Sequence, residues 1–127
     1  MKIALCISGY TGFKDKLYNL KVSDEINSKL LNLDIGYQFF KKNLIQNYNV
    51  DTYIHSWSTD QKNEILEIYN PKEYIIESQK GEEVGIFNAG YSQWYSRKKV
   101  LEIAVNSGIE YDWIILSRFD IALDFKF

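Results

Sequence analysis

The sequence predicts an α/β fold: a mostly parallel four-stranded sheet flanked by helices. Three observations predict it. Apolar runs of strand length occur at Lys2 to Ile7, Val50 to His55, Glu73 to Glu77 and Trp113 to Leu116. Stretches with helical spacing of apolar residues lie between them. Polar clusters close the first, second and fourth runs, and ligands of parallel α/β sheets bind beyond the carboxyl ends of the strands.

The first run is continuously apolar and is closed by Ser8-Gly9-Tyr10-Thr11-Gly12, as expected of a strand buried on both faces that enters a turn. Phe13 to Leu33 is charged and mixed in pattern, with room for a short helix after Ser23. From Asp34 to Tyr48 the residues Tyr37, Phe39, Phe40, Leu44 and Ile45 recur with helical spacing, and Asp34 is the expected N-cap. Val50, Thr52, Tyr53 and Ile54 favour a strand ending in His55-Ser56-Trp57-Ser58. Asp60 is then the expected N-cap of a helix carrying Ile65, Leu66, Ile68 and Tyr69, which Pro71 ends. The third strand centres on Tyr74-Ile75-Ile76.

Lys80 to Gly90 holds three glycines without a steady period and reads as a ligand-covering loop. Ser92 to Asn106 is the clearest helix, with Trp94, Tyr95, Val100, Leu101, Ala104 and Val105 apolar and Gly108 placed as its left-handed cap. The fourth strand then runs into Ser117-Arg118-Phe119-Asp120.

A length of 127 residues predicts one domain spanning 1–127. Hydrophobic residues at 46% and a formal net charge of −2 argue against a disordered chain and give no sign of a nucleic-acid surface. A lone Cys6 cannot close an internal disulfide and suits a reducing compartment, so the expected localisation is cytoplasmic. The first apolar run is too short for a signal-peptide core, and no membrane span is expected.

Arg118 and Asp120 flank Phe119, so a period of two turns both polar side chains to one side of the chain. Arg118 can fork onto a phosphate and Asp120 can hold a divalent metal, or the two form an ion pair that closes a strand. Ser8, Gly9, Tyr10 and Thr11 either present backbone N–H groups to a ligand or form a turn that needs glycine. His55, the lone histidine, is a candidate base or metal ligand, or a hydrogen-bonded structural residue beside Trp57. One histidine and one cysteine exclude a zinc site of His and Cys ligands within one chain. Tyr91 to Lys99 gathers aromatic and basic residues, either as a platform for a sugar or base or as core aromatics beside a solvated basic face.

In four stretches the chain resembles the GT-A-type nucleotide-sugar glycosyltransferases, especially small bacterial and viral members with Arg-x-Asp in place of Asp-x-Asp. They are Ile7-Ser8-Gly9-Tyr10, Val50 to Trp57, Tyr91-Ser92-Gln93-Trp94-Tyr95-Ser96, and Trp113 to Asp120. The resemblance implies a Rossmann-like nucleotide-binding half in which Ser8, Gly9, Tyr10, Thr11, His55, Ser56, Arg118 and Asp120 line the nucleotide site. Asp120 is the implied metal-contacting carboxylate, with Mn2+ or Mg2+ as the implied ion, although Arg118 can neutralise a diphosphate directly.

Members of that family continue past this aspartate into an acceptor-binding half, whereas only Ile121 to Phe127 follow here. The implied function is donor binding, with transfer of the sugar to a glycan or other acceptor when a partner or a homo-oligomer supplies the rest. The alternative is a non-catalytic nucleotide-binding or protein-interaction module derived from a glycosyltransferase. A flavodoxin-like or receiver-like switch fits the alternation too, but no acidic pair follows the first strand.

Overall fold

A computed structural model describes residues 1–11, 33–78 and 89–121. The expectations for Gly12, for a helix after Ser23 and for a loop over 80–88 fall outside these residues.

Strand β1 (Lys2–Gly9) is the axis of the molecule. Ile3 to Ile7 are all fully buried, because side chains of alternate sense meet helices on both sides of the sheet. Ile3, Leu5 and Ile7 point into one layer with Leu33, Phe40, Leu44, Ile65, Tyr69 and Phe119. Ala4 and Cys6 point into the other with Val100 and Ala104. Tyr53 of the neighbouring strand fills the space that these small β1 side chains leave in the second layer.

Helix α1 (Leu33–Phe40) passes directly into a π-helical turn, Lys41–Ile45, instead of continuing as α-helix towards Tyr48. The wider turn is closed by Gln46 N–H donating to Lys41 C=O at 2.9 Å, and it keeps Leu44 in the core beneath Phe40. Asp34 lies inside the first turn of α1, not ahead of it. Gly36 is where α1 crosses the end of the sheet: a Cβ there would meet Phe119 C=O at 3.3 Å.

Strand β2 (Asn49–Ser56) is followed by a 3-10 turn, Thr59–Gln61, and then by α2 (Lys62–Tyr69). Asp60 therefore sits within the 3-10 turn, and Gln61 takes the N-cap position without a side-chain cap. At the other end Asn70 adopts a left-handed conformation, φ 43°, and donates its N–H to Leu66 C=O at 3.0 Å. Pro71, which cannot continue a helix, follows it.

Strand β3 (Glu73–Ile76) is short and largely exposed. Helix α3 (Ala89–Asn106) begins before the expected Ser92 and ends near Gly108, whose φ of 74° bears out the left-handed cap. Its buried stripe is Ser92, Ser96, Val100 and Ala104, spaced four apart, whereas Trp94 and Val105 face solvent. Strand β4 (Trp113–Arg118) completes a four-stranded, all-parallel sheet in the order β3-β2-β1-β4. The fold is the Rossmann-like α/β arrangement expected from the sequence.

Two buried groups allow direct tests of this core. Burial pushes the Cys6 thiol up to about 12, so it should resist a thiol reagent in the native protein and react on unfolding. Among the described residues the buried Tyr69 hydroxyl has no hydrogen-bond partner. Tyr69→Phe should therefore leave the stability unchanged or raise it by up to about 1 kcal/mol in chemical denaturation, whereas Leu5→Ala should lower it by about 2–5 kcal/mol.

Candidate functional site

The strand order decides where a ligand can sit. β2 and β3 extend the sheet on one side of β1, and the chain then returns to place β4 on the other side. The helices α1 and α2 pack on one face of the sheet and α3 on the other. In parallel α/β sheets ligands bind beyond the carboxyl ends of the strands where the strand order reverses, which here is beside β1 and β4. In register across the sheet, Ser8 of β1 stands between His55 of β2 and Arg118 of β4.

Phe119 sets the direction of the side chains beside it. Its ring is buried against Tyr69, with centroids 5.5 Å apart, on the α1/α2 side. Arg118 and Asp120 remain half-exposed, each at 41%, and meet in a two-point pair: Nε donates to Oδ1 at 2.9 Å and Nη2 to Oδ2 at 2.5 Å. An ion pair this exposed contributes at most about 1 kcal/mol to stability. The pair joins the two charged residues that the sequence singled out and leaves the other guanidinium N–H groups to an anion.

The same geometry bears on a metal ion. Both Asp120 carboxylate oxygens accept from Arg118, and no group of three or more His, Cys, Asp and Glu side chains among the described residues is placed to hold a metal.

The loops after β1 and β2 are tied to each other. The Ser56 hydroxyl donates to Gly9 C=O at 2.7 Å and accepts from Ser58 N–H at 3.1 Å. Thr11 donates its N–H to Ser58 Oγ at 2.9 Å and its hydroxyl to Gln61 Oε1. Gly9 makes the exit from β1 possible, because its φ of 112° is a conformation that side chains of other residues resist. Thr11 and Ser56 are fully buried and Ser8 nearly so, while Gly9, Tyr10, Arg118 and Asp120 retain accessible surface. Thr11 and Ser56 therefore brace the rim, and the latter four form its open part.

His55 has no exposed surface. Its Nε2 donates to Glu77 Oε1 at 3.0 Å, and its Nδ1 accepts from Ser96 Oγ at 2.6 Å, so a neutral ring satisfies both partners. Trp57 meets the ring edge-on at 4.7 Å and stacks on Tyr95 at 5.2 Å. Ser96 is itself 1% exposed, and the serine, histidine and glutamate join β2, the end of β3 and α3. Desolvation by burial holds His55 below its ordinary value, against the opposing pull of Glu77, and the Lys99 charge adds to the lowering.

Glu77, Ser96 and Gln61 were not singled out as partners in the sequence. They lie 22 and 41 residues from His55, and 50 from Thr11, without a local pattern linking them. Of the aromatic and basic group at the start of α3, Tyr95 belongs to the histidine cage, whereas Trp94 is 71% exposed with the Arg97 guanidinium 6.0 Å from its ring centre.

No protein-family model, curated protein or solved structure matches this chain. Among the described residues no helix is long and apolar enough to cross a membrane.

The histidine cluster predicts a pH dependence. Because the fold lowers the pKa of His55 from 6.5, the unfolded chain takes up the proton first as pH falls. The stability from this group is complete above about 6.5 and is lost progressively below it, until the folded protein protonates too. Chemical denaturation from pH 8 to about pH 5 should show this acid limb; His55→Gln should flatten it and lower the stability at pH 8 by about 1–3 kcal/mol.

Proposed function

We propose that this chain is a glycosyltransferase-like domain that binds the nucleoside diphosphate of a sugar donor in the crevice between β1 and β4. The observation that carries the reading is the register pairing of Ser8 with Arg118 at the switch point, with Asp120 beside the guanidinium. A parallel α/β sheet offers a ligand its best-shaped crevice there, and a guanidinium suits the paired oxygens of a diphosphate. The four stretches that resemble GT-A enzymes include both sides of this crevice.

In this reading Arg118 forks onto the diphosphate and Asp120 accepts from hydroxyls of the bound nucleotide. Gly9, lacking a side chain, lets the backbone approach the nucleoside, and Tyr10 borders it. As the bond from sugar to diphosphate breaks and the sugar passes to a glycan or other acceptor, the fixed charge of Arg118 stabilises the leaving group. The guanidinium of Arg118 supplies the positive charge at the diphosphate in this reading, and no step is assigned to a metal.

The mutual pairing of Arg118 and Asp120 also favours a second reading, a nucleotide-binding or protein-interaction module without transfer activity. Release of free sugar from a bound donor distinguishes the two.

Calorimetric titration with UDP, GDP, CMP and their sugars tests the donor site. One nucleotide class should bind, equally well with and without manganese, and Arg118→Ala should weaken it at least about tenfold, a change of 1.4 kcal/mol. The same substitution should alter stability by no more than about 1 kcal/mol, because the ion pair is exposed. Unchanged binding in Arg118→Ala and Asp120→Ala, with the fold intact, would remove these residues from the site.

A further inference from the structure

At the end of the sheet away from β4, strand β3 and helix α3 enclose a groove. Among the described residues β3 pairs with β2 alone. Glu73 and Ile75 stand in register with Tyr53 and His55, so their side chains lie on the α3 side of the sheet. Towards them α3 turns Lys99, Glu102, Ile103 and Asn106, which are spaced three and four apart and so share one stripe of the helix. The space between strand and stripe amounts to about 490 Å3. Ile75, 37% exposed, and the partly buried Ile103 supply its apolar floor.

The backbone and the charges of this groove suit an extended peptide. Lys72 donates its N–H to Thr52 C=O at 2.8 Å and so turns its backbone towards β2. Backbone direction alternates along a strand, which turns the N–H and C=O groups of Glu73 and Ile75 outwards. The same two residues thus offer hydrogen bonds at the edge and side chains in the groove, the combination that a peptide strand added to a sheet uses. Of the lining charges, Lys72 pairs with Asp51 and Lys99 with Glu102. Among the described residues no cation pairs with the exposed Glu73 carboxylate, so a basic side chain beside an apolar one complements the groove.

We infer that this groove binds an extended segment of a partner protein as a further strand, antiparallel to β3. An apolar side chain of the segment sits between Ile75 and Ile103, and a basic side chain two residues later meets Glu73. Ile75 and the apolar residue exchange both of their backbone hydrogen bonds, as do Glu73 and the basic residue, while the residue between them faces away from the sheet. Antiparallel pairing is the more stable of the two directions per residue. The groove lies at the opposite end of the strand order from β4, and its occupant does not depend on the ligand held between β1 and β4.

The probe is the synthetic peptide acetyl-Thr-Val-Thr-Lys-Thr-amide, titrated into the isotope-labelled chain and followed by the amide signals in NMR. Saturable shifts should centre on Glu73, Ile75 and the stripe of α3 from Lys99 to Asn106, leaving Ser8 and Arg118 in place. Methylating the backbone nitrogen of the peptide's valine should weaken binding at least about tenfold, because that N–H points at Ile75 C=O. Methylating the threonine that follows should cost much less, because its N–H points away. Glu73→Lys, at an exposed position, should keep the fold by circular dichroism and reverse the charge preference, favouring a peptide with glutamate in place of lysine. No saturable shift up to millimolar peptide, shifts centred away from β3 and α3, equal losses from the two methylations, or a Glu73→Lys protein that still prefers the basic peptide would each overturn the inference.

Discussion

The structure depends on the burial of β1 on both of its faces. Five consecutive residues, Ile3 to Ile7, have no exposed surface, and that is possible only if each side of the strand is covered by a different layer. The bulky residues Ile3, Leu5 and Ile7 are covered by α1 and α2, and the small Ala4 and Cys6 by α3. Burying a side chain such as leucine or isoleucine contributes about 1.5–3 kcal/mol, so this one strand accounts for a large part of the drive to fold. The crossovers from β1 follow from the same demand, because helices on both faces require the chain to leave β1 in one direction and return on its other side.

That return has a chemical consequence. It sets Arg118 of β4 in register with Ser8, and the buried ring of Phe119 then holds Arg118 and Asp120 out of the core at the neighbouring strand end. The close approach of Gly36 to the Phe119 carbonyl shows how tightly this corner is packed: α1, α2 and the end of β4 meet there. An apolar corner thus carries an exposed charged pair, in which Asp120 orients the guanidinium of Arg118.

The polar interior is organised around braces. At one end of the sheet, Ser56, Ser58, Thr11 and Gln61 join the exits of β1 and β2, while His55 joins β2 to Glu77 and Ser96. On the α3 side, Asp51 gathers the Tyr111 hydroxyl at 2.6 Å and the ammonium groups of Lys2 and Lys72. Burial works to raise its pKa, but the Tyr111 hydrogen bond and the two lysines outweigh this and hold it below the usual carboxylate range. Polar groups are tolerated in these places because nearly all of them find partners, and the Tyr69 hydroxyl shows what an unpartnered one looks like.

The sequence by itself determined the α/β class, the four strands, the helix between Ser92 and Asn106, and the left-handed cap at Gly108. These rest on local signals: runs of apolar residues, period, and a glycine where the backbone needs one. It also picked out the strand-end clusters, and with them Gly9, Arg118 and Asp120. What it could not determine was which nominated polar residues would turn inward. Thr11, His55 and Ser56 are buried because residues dozens of positions away complete their hydrogen bonds. The same cause misdirects a reading of α3: its buried stripe begins with Ser92 and Ser96, while Trp94 lies outside. A helix that packs against a histidine cage buries hydroxyls, and only the tertiary structure brings the two together.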